Sequence, residues 1–124
     1  MNINISNSSG EPIYLQIVNQ IKTLILEGKL SEGEALPSMR VLATELRISF
    51  MTTKRAYEEL ERDGFIESYT GKGSFVKAQN LEIYREEQIR RIEALLMEAG
   101  DAARKAGLTM EELHDLLDLV NGGD

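Results

Sequence analysis

Apolar side chains recur at Tyr14, Ile17, Val18, Ile21, Leu24 and Ile25, a spacing that puts all six on one face and predicts the first helix of the chain. Pro12 suits the first helical position, where a missing N–H costs nothing, and Gly28 suits the stop. Residues 30–37 read as a turn with one short strand. A second helix follows, with Ser38 placed to cap it and Met39, Leu42, Ala43 and Leu46 facing inward. Ile48 is expected to be buried in a tight turn, after which Ser49 caps a third helix whose inward face is Ala56, Tyr57 and Leu60. Its opposite face is expected to hold Phe50, Met51, Thr53, Lys54 and Glu58. Asp63 and Gly64 end that helix, and residues 65–69 and 74–77 are strand-like, joined through Thr70, Gly71, Lys72 and Gly73. A two-strand hairpin is barely stable by itself, so it must pack against the helices.

From Leu81 onward the pattern is helical and acidic. Ile89, Ile92, Leu96, Ala99 and Ala103 are spaced three, four, three and four, a heptad-like seam that Leu95 broadens. Gly107 closes this helix. Thr109 and Glu112 form a capping-box pair for a last helix with Leu113, Leu116, Leu117 and Val120 on one face. Some forty residues bury too little surface to hold a core alone. Completion by a second copy of the chain is therefore expected, with the seam and the last helix's apolar face as the dimerisation surface.

Composition narrows the classes. The 124 residues contain no cysteine, which excludes a disulfide framework and a thiolate metal site. Charges interrupt every apolar stretch, and residues 1–12 lack a basic segment leading into an apolar one, so no membrane partner is expected and a cytoplasmic location is. The net charge of −7 argues at first against a nucleic-acid partner. Its distribution reverses that argument. Residues 1–80 carry 9 Lys+Arg against 10 Asp+Glu, and residues 81–124 carry 5 against 11. Between Met39 and Tyr57 stand Arg40, Arg47, Lys54 and Arg55 with the single acid Glu45. Screening beyond roughly 8 Å at physiological salt makes this local field the one a phosphate backbone meets. The acidic C-terminal part is expected to face away from DNA.

Two short helices at a tight turn, the second beginning with the small side chains Thr52 and Thr53 and continuing into Lys54 and Arg55, are what a helix needs to enter a major groove. A hairpin tipped by Lys72 between two glycines adds a wing. Several blocks carry a family resemblance in order: residues 12–17 (PIYLQI), 28–30 (GKL), 36–43 (LPSMRVLA), 52–60 (TTKRAYEEL), 63–66 (DGFI) and 71–76 (GKGSFV). Over residues 12–77 the chain resembles the N-terminal domain of GntR-family transcription regulators, and its short C-terminal part is similar to the YtrA-type subgroup. The resemblance implies a mainly α fold with a small β-hairpin: a flexible tail at 1–11, a winged helix-turn-helix DNA-binding domain at 12–79 and a two-helix dimerisation region at 80–124. It implies a homodimeric, cytoplasmic repressor that binds a pseudo-palindromic operator in double-stranded DNA.

It further implies that Arg40, the segment Ser49, Phe50, Met51, Thr52, Thr53, Lys54 and Arg55, and the wing Gly71, Lys72 and Gly73 touch DNA. Ser38 is counted with them. Free amides at a helix N-terminus, helped by the Ser49, Thr52 and Thr53 hydroxyls, suit a phosphate. Arg40 or Lys54 could reach guanine acceptors, and Lys72 the minor groove. Three positions depart from the family pattern. Phe50 and Met51 stand where many relatives carry Arg or a small polar residue, and Phe50 suits packing under the wing as well as it suits a thymine methyl. Arg47 stands where Gly is frequent, so a left-handed residue is expected there.

Other chemistries find little support. A phosphate-binding loop needs a longer glycine spacing and a following helix, whereas a strand follows Gly73. His114, the one histidine, has no partner set for a metal, and no cofactor or metal is expected. No catalytic constellation stands out, so an enzyme is not expected. An adaptor that uses the same fold without DNA is the remaining rival, argued from the overall acidity, and a small-molecule effector stays open.

Overall fold

The computed structural model describes residues 1–122. The elements run α1 (Ile13–Leu26), α2 (Met39–Leu46), α3 (Phe50–Arg62), β1 (Ile66–Tyr69), β2 (Gly73–Val76), α4 (Leu81–Ala106) and α5 (Met110–Val120). They fall into two units, Met1–Gln79 and the chain from Asn80 onward.

In the first unit the apolar face of α1 (Ile17, Val18, Ile21, Ile25) meets Leu42 of α2, Ala56, Tyr57 and Leu60 of α3, and Ile66 and Val76 of the hairpin, all buried. Burying one such aliphatic side chain contributes about 1.5–3 kcal/mol, so this face fixes how the three helices assemble. Pro12 stands one position before α1, as its N-cap residue. Gly28 follows the C-cap with φ +77°, a conformation that favours glycine. At the far end of α3, Lys22 pairs with Asp63 at 2.7 Å and lies over the Phe65 ring.

The turn between α2 and α3 closes on Arg47, which is left-handed (φ 57°, ψ 46°), with the Ile48 amide donating to the Ala43 carbonyl at 3.0 Å. Holding a side chain there costs on the order of 1 kcal/mol compared with an unstrained conformation. The Tyr57 hydroxyl donates to the Pro37 carbonyl at 2.7 Å, tying the entry of α2 to the middle of α3. Burial, with Glu45 adding to it, pushes the Tyr57 phenol well above its ordinary pKa, so it stays a neutral donor.

The wing is an antiparallel hairpin in which Ile66 faces Val76 and Tyr69 faces Gly73. Its second strand has a partner on the other side too. The Gly33 amide donates to Val76 and the Leu36 amide to Ser74, the Val76 amide returns to Glu34, and Ala35 bridges Phe75. This extra pairing anchors a hairpin that would be marginal with two strands.

Residues 1–11, expected to form a free tail, lie instead along α1. Ile3 is buried in the core. The side-chain amide of Gln20 exchanges two hydrogen bonds with the backbone of Asn4, at 2.9 and 2.7 Å, and Gln16 does the same with Ser6, at 2.8 and 2.8 Å. Glutamines four apart, one helical turn, thus serve tail residues two apart and satisfy backbone groups that have no strand partner.

In the second unit, Asn80 caps α4 and Gly107 ends it in a left-handed conformation. Thr109 and Glu112 form a complete capping box at α5. Ala103 alone is buried there, among the described residues, whereas Ile89, Ile92, Leu95, Leu96, Met97, Leu116, Leu117 and Val120 are exposed.

Candidate nucleic-acid interface

The N-terminus of α3 is built by its cap. The Ser49 hydroxyl accepts from the Thr52 amide at 3.0 Å and shares a 2.8 Å hydrogen bond with the Thr52 hydroxyl, so the two side chains organise the first turn together. Helical periodicity then divides the remaining residues. Positions 53, 56, 57 and 60 share the buried face, and Thr53 is 0 % exposed, its hydroxyl donating back to the Ser49 carbonyl at 3.3 Å. Thr53, expected on the outer surface, therefore cannot reach a duplex. It lies four residues before Tyr57 and seven before Leu60, which carries it inward whatever its polarity.

Met51, at 65 % exposed, and Lys54 and Arg55 face outward, while Thr52 is half-buried. Together with Glu58 they form one wall of a groove whose other wall is Pro12, Ile13 and Tyr14 at the start of α1. Lys54 lies 3.9 Å from Glu58. Arg55 lies over the Tyr14 ring, its guanidinium carbon 3.8 Å from the centroid. Arg40, from the first turn of α2, lies over the Phe50 ring at 4.8 Å. Phe50 is half-buried, and its ring is engaged by Arg40.

Ser38 caps α2, its hydroxyl accepting from the Val41 amide at 3.1 Å. It shares a second groove with Met39, Tyr69, Gly71, Lys72 and Gly73, so the start of α2 and the tip of the wing are neighbours. Gly71 (φ +77°) and Gly73 (φ +111°) hold the tip in conformations a side chain would resist, and Lys72 between them is exposed. Tyr69 is also exposed at the wing and donates to the Glu67 carboxylate. That hydrogen bond, and then the carboxylate's charge, hold its phenol above its ordinary pKa. Sequence reasoning passed over Tyr14, whose apolar period marked it only as a core residue.

The second unit carries a surface of another kind. Leu96, Ala99 and Gly100 of α4 with Met110, Leu113, His114, Leu116, Leu117 and Val120 of α5 line an apolar groove of about 420 Å³. Ile89 and Ile92 continue the exposed apolar positions along α4, while Ala99 and Leu113 are half-buried. Ala103, expected in the outward seam, is buried within the single chain and has no surface left to offer a partner. The Leu108 amide returns to its carbonyl where α4 ends, which places it at the base of the helical pair. Among the described residues no cluster of His, Cys, Asp or Glu is placed to hold a metal ion, and no helix is long and apolar enough to cross a membrane.

A helix pair at a tight turn, with an adjoining hairpin whose cationic tip lies beside the first of the two helices, defines a winged helix-turn-helix protein, the class of DNA-binding transcription regulators. Residues 13–76 match the bacterial regulatory proteins of the gntR family, and the chain belongs to that family. It is 37% identical over 113 residues to the HTH-type transcriptional repressor YtrA of Bacillus subtilis (strain 168), covering 91% of this chain and 87% of that protein. The structure of YtrA from Sulfolobus acidocaldarius, a GntR-family transcription factor, superposes with a TM-score of 0.59 at 37% identity, over 74% of this chain and 97% of that one. The DNA-binding domain of AraR, in complex with operator ORE1, superposes with a TM-score of 0.52 at 25% identity, over 61% of this chain and 93% of that one.

Proposed function

We propose that the chain is a homodimeric repressor that binds a pseudo-palindromic operator, with residues 12–79 as the DNA-binding part and 80–124 as the dimerisation region. Each subunit inserts α3 into a major groove through Met51, Thr52, Lys54 and Arg55, with Arg40 alongside, seated on the Phe50 ring, and Ser38 and Ser49 at the caps. Lys72, between Gly71 and Gly73, enters the adjacent minor groove, and the half-sites lie about one helical turn apart. The observation that carries this reading is the division of α3 itself: its buried face is spent on the core, and its opposite face presents cations beside a second helix N-terminus. The repressor of Bacillus subtilis and the operator complex of AraR support the same direction of function.

Dimerisation is supported by the row of exposed apolar residues, Ile89, Ile92 and Leu96 on α4 with Leu116, Leu117 and Val120 on α5, flanked by the half-buried Ala99 and Leu113. Apolar positions this dense cost solvation free energy unless a partner covers them. Selection from a random duplex pool with the purified protein tests the whole reading. The recovered motif is expected to be an inverted repeat with half-site centres about 10 base pairs apart. Recovery of no motif, or of a single unrepeated half-site, would contradict it.

A further inference from the structure

Among the described residues the salt bridges take in Lys54 but neither Arg40 nor Arg55. Each of those two arginines lies instead over an aromatic ring, and the rings come from different elements: Tyr14 from α1 under Arg55, Phe50 from α3 under Arg40. The difference matters for recognition. A carboxylate that binds a guanidinium occupies its N–H donors and cancels its charge, as Glu58 begins to do for Lys54. A ring beneath the guanidinium uses only the planar face, and the five N–H donors around the rim stay free for a bidentate acceptor. The charge stays available too, while the long side chain loses much of the rotamer freedom that binding would otherwise have to remove.

We propose that Tyr14 and Phe50 are positioning residues for DNA recognition, each holding one arginine of the interface in place with its donor rim uncommitted before a duplex arrives. This rests on the DNA-binding reading above. Phe50 lies under the Arg40 guanidinium, so its contribution is routed through that arginine. Tyr14, at the start of the first helix, brings that helix into the specificity of the third.

The test uses the full chain, the duplex recovered by selection with the wild-type protein and a scrambled duplex of equal length. Tyr14→Leu and Phe50→Leu keep apolar bulk and every charge, and each is expected to weaken binding to the selected duplex by roughly three- to tenfold. Tyr14→Phe and Phe50→Tyr keep a ring and should stay within about twofold of wild type. In a double-mutant cycle Tyr14→Leu should cost nothing further once Arg55→Ala is present, nor Phe50→Leu once Arg40→Ala is present. The slope of log affinity against log salt should not change in the leucine variants, because no cation is lost. Penalties that add in the double variants, aromatic replacements as damaging as leucine, or leucine variants that bind like wild type would each overturn the proposal. A wild-type protein that prefers no duplex would remove the proposed function itself, a separate failure.

Discussion

The two units of this chain solve the same problem in opposite ways. The first, with three helices and a hairpin, buries its apolar face inside one chain: Ile17, Ile21, Tyr57, Leu60 and Ile66 are almost wholly removed from water. The second has long, well-capped helices and yet leaves its apolar side chains open, Leu96 at 51 % and Val120 at 76 % exposed. Good caps and strong periodicity make a helix; they do not supply something to pack against. Where elements from several directions converge, as in the first unit, a core closes. Within a pair of helices only positions such as Ala103 at its base close over, and most of the apolar side chains stay in water.

That contrast predicts different responses to mutation. Leu60→Ala should lower the unfolding free energy by about 2–5 kcal/mol at any protein concentration, because the cavity it opens is internal. Leu96→Asp should leave the first unit's stability unchanged while weakening self-association by more than about tenfold, read by sedimentation, because a carboxylate would be desolvated at the contact. A wild-type chain that sediments as a monomer at micromolar concentration would break the comparison at its second half.

A smaller effect sharpens the first half. Tyr57→Phe removes the donor to the Pro37 carbonyl and should cost about 1–2 kcal/mol in denaturant unfolding. Its pH dependence has a definite sign. The phenol's pKa is raised in the folded state, so its contribution is complete below the unfolded value of about 10 and is lost as pH climbs beyond it toward the folded value. Above pH about 10 the wild type should therefore lose stability faster than Tyr57→Phe. Parallel pH profiles would show that folding does not raise the phenol's pKa.

How much of this was legible in the sequence follows from the range of the interactions involved. Element order, the caps at Ser38, Ser49 and Thr109 and the glycine-flanked wing are carried by the residue pattern, whereas the left-handed Arg47 is expected only through the family resemblance, since nothing in its own neighbours marks it. Thr53 is buried although its polarity points outward, because its spacing from Tyr57 and Leu60 points inward and spacing decides. Ala103 is buried within the chain although it falls in the heptad seam, because a heptad does not distinguish a partner helix from the chain's own. The docking of residues 3–6 was invisible because it depends on glutamine side chains acting as a substitute strand, a pairing with no periodicity. Nor does spacing reveal that Arg55 rests on Tyr14, forty-one positions earlier in the chain, since that contact exists only after α1 and α3 have packed.

The central claim is that the outer edge formed by α2, α3 and the wing is the surface that meets DNA. The most direct measurement is a mobility-shift titration of the selected duplex with Arg40→Ala, Lys54→Ala and Lys72→Ala, repeated across a salt series. Lys54→Ala should weaken specific binding by more than about tenfold, and loss of a phosphate contact at any of the three should reduce the salt slope by about one. Three variants that bind as the wild type does, with the same salt slope, would contradict the account.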